Sequence, residues 1–133
     1  MTSIKDLIAN YKVSSVLNKN SKEFGKQHLF DGNDETCWNS HQGKPQYIYI
    51  EFKQPVQIAK VYMTFQGGFV GKDCHFLIAN GSEELVNHNS FYPDDSSVEQ
   101  VFELGATLDK LKIVFEDSTD FYGRVTLYKL DFS

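Results

Sequence analysis

Hydrophobic and polar positions along this chain fall mostly into short runs with the period of a strand. Residues 47–52, Tyr47-Ile48-Tyr49-Ile50-Glu51-Phe52, form the clearest run, with β-branched and aromatic side chains on both faces, the composition of a pleated, buried surface. Leu111, Ile113 and Phe115 alternate with Lys112 and Val114, which predicts a strand with one wetter face. Runs at 13–17, 56–65, 74–79, 84–86, 98–102 and 125–132 complete a set of eight. Asn80-Gly81, between two of them, reads as a two-residue hairpin. One segment keeps a helical period instead. Ile4, Leu7, Ile8 and Tyr11 fall at i, i+3, i+4 and i+7, which predicts a helix over 2–11 capped by Thr2 or Ser3. Eight short strands with little helix predict an all-β sandwich or barrel. The chain is therefore divided into a helical extension, 1–12, and one β-domain, 13–133. The longest irregular stretch, 18–46, is too long for a hairpin loop and is a candidate functional segment.

Composition narrows the function. Across 133 residues the formal net charge is -5, and the thirteen basic residues include a single arginine, Arg124. Nucleic-acid binding needs clustered lysine and arginine, and no such cluster stands in the chain, so a direct nucleic-acid role is set aside. No apolar run reaches the 18 residues of a membrane-spanning helix, and the N-terminus lacks the pattern of a secretory signal. The expected setting is intracellular, in nucleus or cytoplasm, with Cys37 and Cys74 reduced. Asn80-Gly81-Ser82 matches a glycosylation sequon and is read as a turn.

The segment Leu29-Phe30-Asp31-Gly32-Asn33-Asp34-Glu35-Thr36-Cys37-Trp38-Asn39-Ser40 is the most informative one. It is an acidic turn leading into the only tryptophan. Asp31, Asn33 and Thr36 are able to converge oxygens on a hard cation, but the spacing is not that of an EF-hand, and an Asx-rich turn satisfying its own backbone is the commoner arrangement. Trp38 is assigned to the core. Catalytic groupings fail on inspection. Cys37 and His41 lack a third, orienting group. Cys37, Cys74, His28 and His75 lack zinc-ligand spacing. The acids at 94, 95, 117 and 120 read as solvated loop residues. No enzyme and no cofactor is expected.

Taken together, Ser14-Ser15, then Asp31-Gly32 followed by Thr36, Trp38 and Ser40, then Gln46-Tyr47-Ile48-Tyr49-Ile50 resemble the discoidin, or coagulation factor V/VIII type C, family. The resemblance covers roughly residues 13–133. It implies an eight-stranded jelly-roll sandwich with a galactose-binding-like fold. Longer runs, among them Phe65-Gln66-Gly67-Gly68-Phe69 and Asp120-Phe121-Tyr122-Gly123-Arg124-Val125, resemble an intracellular branch of that family. That likeness implies a binding protein whose partner is a nuclear receptor; a sugar or lipid headgroup is the alternative ligand. Calcium-binding members ligate the ion through positions that here are His28 (backbone carbonyl), Asp31, Asn33 and Thr36, plus a glutamate of the last strand. Lys129 aligns with that glutamate, so the resemblance implies a vestigial site, with the Lys129 ammonium beside Asp31 in place of the metal.

In such sandwiches the ligand-facing loops gather at one end. Three segments carry interface chemistry: the first loop with Asn18, Asn20 and Phe24, the Gly-rich turn with Phe69, and the late loop with Phe121, Tyr122 and Arg124. Exposed aromatics and arginine dominate interface energetics. The expectation is that they meet at one end, exposed, with the Arg124 fork open to a carboxylate on the partner; the alternative is that Phe121 or Tyr122 plugs the end of the sandwich.

Overall fold

The computed structural model describes residues 3–133. Its strands are β1 (Ile8–Val13), β2 (Trp38–Asn39), β3 (Gln46–Phe65), β4 (Gly71–Ala79), β5 (Val86–Phe91), β6 (Gln100–Ser118) and β7 (Thr126–Phe132). All pairings are antiparallel. The two longest strands, β3 and β6, serve both layers of a sandwich. Their first layer runs β1, the start of β3, the end of β6, β4 and β5. The second runs from the start of β6 through the end of β3 to β7 and β2. The register between β3 and β6 shifts between Glu51 and Val56, around Lys53-Gln54-Pro55. Proline there cannot donate to a ladder, and the strand bends from one layer into the other.

Between the layers lies an aromatic core. Trp38, Phe65, Phe76 and Phe115 are fully buried. Trp38 and Phe65 flank Phe115 at 6.3 and 6.0 Å between ring centroids, and Phe76 stacks on Phe91 at 4.2 Å. Such pairs each contribute about 0.5–1.5 kcal/mol beyond the area they bury. The Trp38 indole N–H donates to the Ser15 carbonyl at 2.9 Å, which ties the acidic turn to the first loop. Trp38 is core, as its sequence setting implies.

Several local expectations change. The helix over 2–11 is a single 3-10 turn, Ile4–Leu7, followed by strand from Ile8; Thr2 as a cap lies outside the described residues. The same i, i+3, i+4, i+7 spacing suits a tight turn running into a strand, and pairing with β3 decides between them. The division between residues 12 and 13 therefore cuts β1, and residues 8–12 belong to the sheet. Residues 14–17 are not strand but the start of the first loop. Asn80-Gly81 opens a six-residue connection instead of a two-residue hairpin, because β5 begins only at Val86. The Asp109 carboxylate accepts from the Gly81 N–H at 3.1 and 3.0 Å and draws the turn toward β6.

Candidate functional site

The loops at one end of the sandwich are joined by a chain of hydrogen bonds. In the first loop, the Ser15 hydroxyl accepts from His41 N–H at 3.0 Å, and Asn18 N–H donates to His41 Nδ1 at 3.3 Å. Gln46 is buried beneath them. Its Oε1 accepts from the hydroxyls of Ser14 and Ser15, and its Nε2 donates to the carbonyls of His41 and Gly43 at 3.0 and 2.9 Å. The 40–45 loop then reaches the late loop: Gly43 N–H donates to Tyr122 O at 2.8 Å, and Val125 N–H to the Ser40 hydroxyl at 2.8 Å. The late loop in turn meets the Gly-rich turn. Thr126 N–H donates to Phe69 O at 3.0 Å, and Val70 N–H to the Thr119 hydroxyl at 3.0 Å.

Phe69, Phe121, Tyr122 and Arg124 come together there. The Arg124 guanidinium lies 5.2 Å from the Phe69 ring centroid and 5.6 Å from that of Tyr122, within cation–π range. Phe121 packs edge-on against Tyr122 at 5.3 Å. Phe121 is 87% and Tyr122 58% exposed, so neither plugs the sandwich. Gly123 allows the turn. It adopts φ +84°, and a Cβ there would stand 2.6 Å from Gly43 O, a contact no side chain tolerates.

Other site residues differ from expectation. The Arg124 fork is closed on Asp120, with Nε 2.9 Å from Oδ2 and Nη2 3.1 Å from Oδ1, so its planar face, and not its donor edge, serves the cluster. Phe69 is half-buried beneath that face instead of projecting freely. Asn20 caps the short helix α1 (Ser21–Phe24) by accepting from Glu23 N–H at 3.3 Å. Among the described residues no hydrogen bond or ring contact links Asn20 or Phe24 to the aromatic cluster; only Asn18 joins the network, through His41. Asp120 is not the solvated loop acid expected: its side chain is largely buried against Arg124, and an acid four positions before an arginine in a loop is its only local signal. Gln46 was legible only through the family pattern, with no sign of its bridging role. A groove of about 510 Å3, lined by Ser14, Ser15, Val16, Asn18, Lys19 and His41, opens beside the network.

The acidic turn does not form a calcium cradle. Asp31 Oδ1 accepts from Asn33 N–H at 2.9 Å, and its Oδ2 accepts from the Thr36 hydroxyl and faces His28 Nδ1 at 3.2 Å. Asn33 Oδ1 accepts from Glu35 N–H at 2.9 Å. Burial pushes the Asp31 carboxyl up; the Thr36 hydroxyl, the Asn33 N–H and His28 outweigh it and hold the group below its usual range. Lys129 does not pair with Asp31. Its ammonium donates to Glu99 at 3.0 Å, although Lys129 lines a surface groove with Asn33 and Asp34 of the acidic turn. The Asp31, Asn33 and Thr36 side chains are engaged within the turn, the set holds one carboxylate and the last strand brings a lysine in place of a second, a poor match to calcium.

Cys37 and Cys74 are free, buried thiols. Burial raises the pKa of both, the reverse of what a nucleophile requires. His41 is turned to Asn18 N–H. No helix among the described residues is long and apolar enough to cross a membrane.

No family model matches the chain. Whole-chain comparison finds close relatives. The chain is 48% identical over 122 residues to a nuclear receptor 2C2-associated protein of Danio rerio, covering 90% of this chain and 86% of that one. It is 45% identical over 120 residues to the protein of that name from Homo sapiens, with the same coverage. Against the Xenopus tropicalis protein, the match is 45% over 132 residues, covering 98% and 97%. Solved structures share the fold at low identity. CpGH89CBM32-5 from Clostridium perfringens, in complex with GalNAc-β-1,3-galactose, superposes with a TM-score of 0.81 at 14% identity, covering 98% of this chain and 99% of that one. An F5/8 type C domain from Bacteroides fragilis superposes with a TM-score of 0.80 at 12% identity, covering 92% and 89%. The fold is the discoidin-type, galactose-binding-like β-sandwich.

Proposed function

Since the chain belongs to the nuclear receptor 2C2-associated protein family, we propose that it is a non-enzymatic module that holds nuclear receptor 2C2 through the loop end of the sandwich, inside the cell. The observation that carries this reading is the exposed Phe121–Tyr122 pair standing on a fixed base of Arg124, Asp120 and Phe69. Large aromatic rings held open to water by a bonded turn are the residue types that anchor protein interfaces. Because Asp120 already neutralises the guanidinium, the anchor is apolar, and its partner is expected to present an apolar pocket. Buried, unpaired thiols accord with a reducing compartment. Neither Cys37 nor His41 has the partners a nucleophile and base need, and the net charge of -5 disfavours nucleic acid.

A second reading rests on the groove lined by Ser14, Ser15, Asn18, Lys19 and His41, where the Asn18 amide, the Lys19 ammonium and the Nε2 edge of His41 suit a sugar, the two hydroxyls being already donated to Gln46. The test is biolayer interferometry on immobilised, purified nuclear receptor 2C2. The wild type binds saturably, and Phe121→Ala/Tyr122→Ala weakens the affinity at least tenfold, about 1.4 kcal/mol. Saturable binding of GalNAc-β-1,3-galactose with no response to the receptor would favour the sugar reading.

A further inference from the structure

The outward face of the first layer carries a second cluster of charged and aromatic side chains. Ile48, Ile50, Leu111 and Ile113 point into the core, so Tyr47, Tyr49 and Lys112 point out. Register aligns Lys12 of β1, Tyr49 of β3 and Lys112 of β6 in one row across three strands. The lysines lean over rings. Lys12 Nζ is 5.4 Å from the Tyr49 centroid, and Lys112 Nζ is 4.5 Å from that of Tyr47. With Glu51 and Leu85 these residues line a groove of about 350 Å3.

Two features distinguish this face. Lys12 and Lys112, like most lysines among the described residues, have no carboxylate within ion-pair distance, but these two share one groove, each over a tyrosine ring. Their ammonium groups keep unused donors above an aromatic floor. The connection that supplies the wall is tethered near its start. Leu85 ends the connection that Asp109 holds through Gly81 N–H, that Lys110 holds through Gly81 O, and that Asn80 anchors on Thr107 O at 3.2 Å.

We infer that this groove docks an extended acidic segment of a partner protein, with a carboxylate between Lys12 and Lys112 and a neighbouring aliphatic side chain packed between Tyr49 and Leu85. Charge complementarity selects the carboxylate. Tyrosine rings and Leu85 select an apolar neighbour, and Glu51, beside Tyr49 in the same lining, disfavours a second acid there. The groove lies open across a sheet face, which suits a passing peptide better than an enclosed small molecule.

The probe is a fluorescein-labelled peptide of alternating leucine and glutamate, followed by fluorescence polarisation and by amide shifts of the full-length protein. Saturable binding is expected, with shifts centred on Lys12, Tyr47, Tyr49 and Lys112, and it weakens with added salt. Lys12→Glu/Lys112→Glu lowers the affinity at least tenfold while the amide spectrum away from the groove stays native, Lys12 being exposed and Lys112 half-buried. Tyr49→Ala also weakens it, and Phe121→Ala does not, which separates this site from the loop end. Unchanged affinity in the charge-reversed variant, or equal binding of a leucine–lysine peptide, would overturn the inference. So would saturation of the groove by a sulfated oligosaccharide with no response to the peptide.

Discussion

Arg124 and Asp120 form a two-point ion pair inside the late loop, and Arg124 N–H also donates to Asp120 Oδ2, at 3.1 Å. One carboxylate thus fixes the backbone turn and the guanidinium on which the aromatic cluster rests. The Arg124 bonds, chiefly those of its side chain, hold the Asp120 carboxyl below its usual range against the opposing effect of burial. A carboxyl depressed on folding adds stability above its unfolded pKa, near ~3.9, and loses it as pH falls through the folded value. Asp120→Asn should therefore cost about 1–2 kcal/mol near neutral pH. In urea titrations the gap to wild type should narrow as pH drops below about 4. A gap that persists unchanged in acid would show that the pair adds no pH-dependent stability.

Gln46 joins the first loop to the 40–45 loop through four side-chain hydrogen bonds in a buried setting. Gln46→Ala leaves two hydroxyls and two carbonyls without that partner, and should cost about 2–4 kcal/mol by chemical denaturation. Gln46→Glu should be at least as damaging, because a carboxylate cannot donate to the carbonyls of His41 and Gly43. A loss under about 0.5 kcal/mol for either variant would mean that water replaces the amide freely.

Lys129 meets Glu99 where both side chains are nearly half exposed. Lys129→Ala should shift stability by less than about 1 kcal/mol. Millimolar calcium should leave the wild-type melting temperature unchanged, because the Asp31 turn satisfies its own oxygens. A rise in Tm with calcium that chelator reverses would show that the turn opens to ligate the ion.

Cys74 is fully buried and Cys37 nearly so. With both thiols pushed up by burial, a disulfide-exchange reagent at pH 8 should label neither in the native protein, and both once urea unfolds it. Rapid native labelling would show that the acidic turn around Cys37 opens.

Much of the fold was legible because strands carry runs such as Leu111, Ile113 and Phe115 with Lys112 on the outer face, although Val114, expected on that wetter face, is buried too, and because the segment from Asp31 to Ser40 carries a family pattern. What escaped was set by partners distant in sequence. The helical spacing of Ile4, Leu7, Ile8 and Tyr11 says nothing of β3, whose pairing makes Ile8–Val13 a strand. That Phe69, Phe121 and Tyr122 stand together was legible, since aromatic rings beside glycines in loops are unusual; that Phe69 would be half-buried under Arg124 was not. Nor was the base of the cluster. The Asp120–Arg124 pair depends on a left-handed Gly123 packed on Gly43, and the partner of Lys129 lies on a segment distant in sequence. Neither is encoded in local spacing.

The central claim is that the loop end is the receptor-binding surface. Titrating isotopically labelled protein with unlabelled, purified nuclear receptor 2C2 and following backbone amides tests it most directly. The account predicts that the largest shifts or broadening fall on residues 66–70 and 119–125, with Asn18 and His41 at their margin, and that Phe121→Ala abolishes them at equal concentrations. Saturable binding that perturbs other faces and leaves Phe69, Phe121, Tyr122 and Arg124 untouched would contradict it.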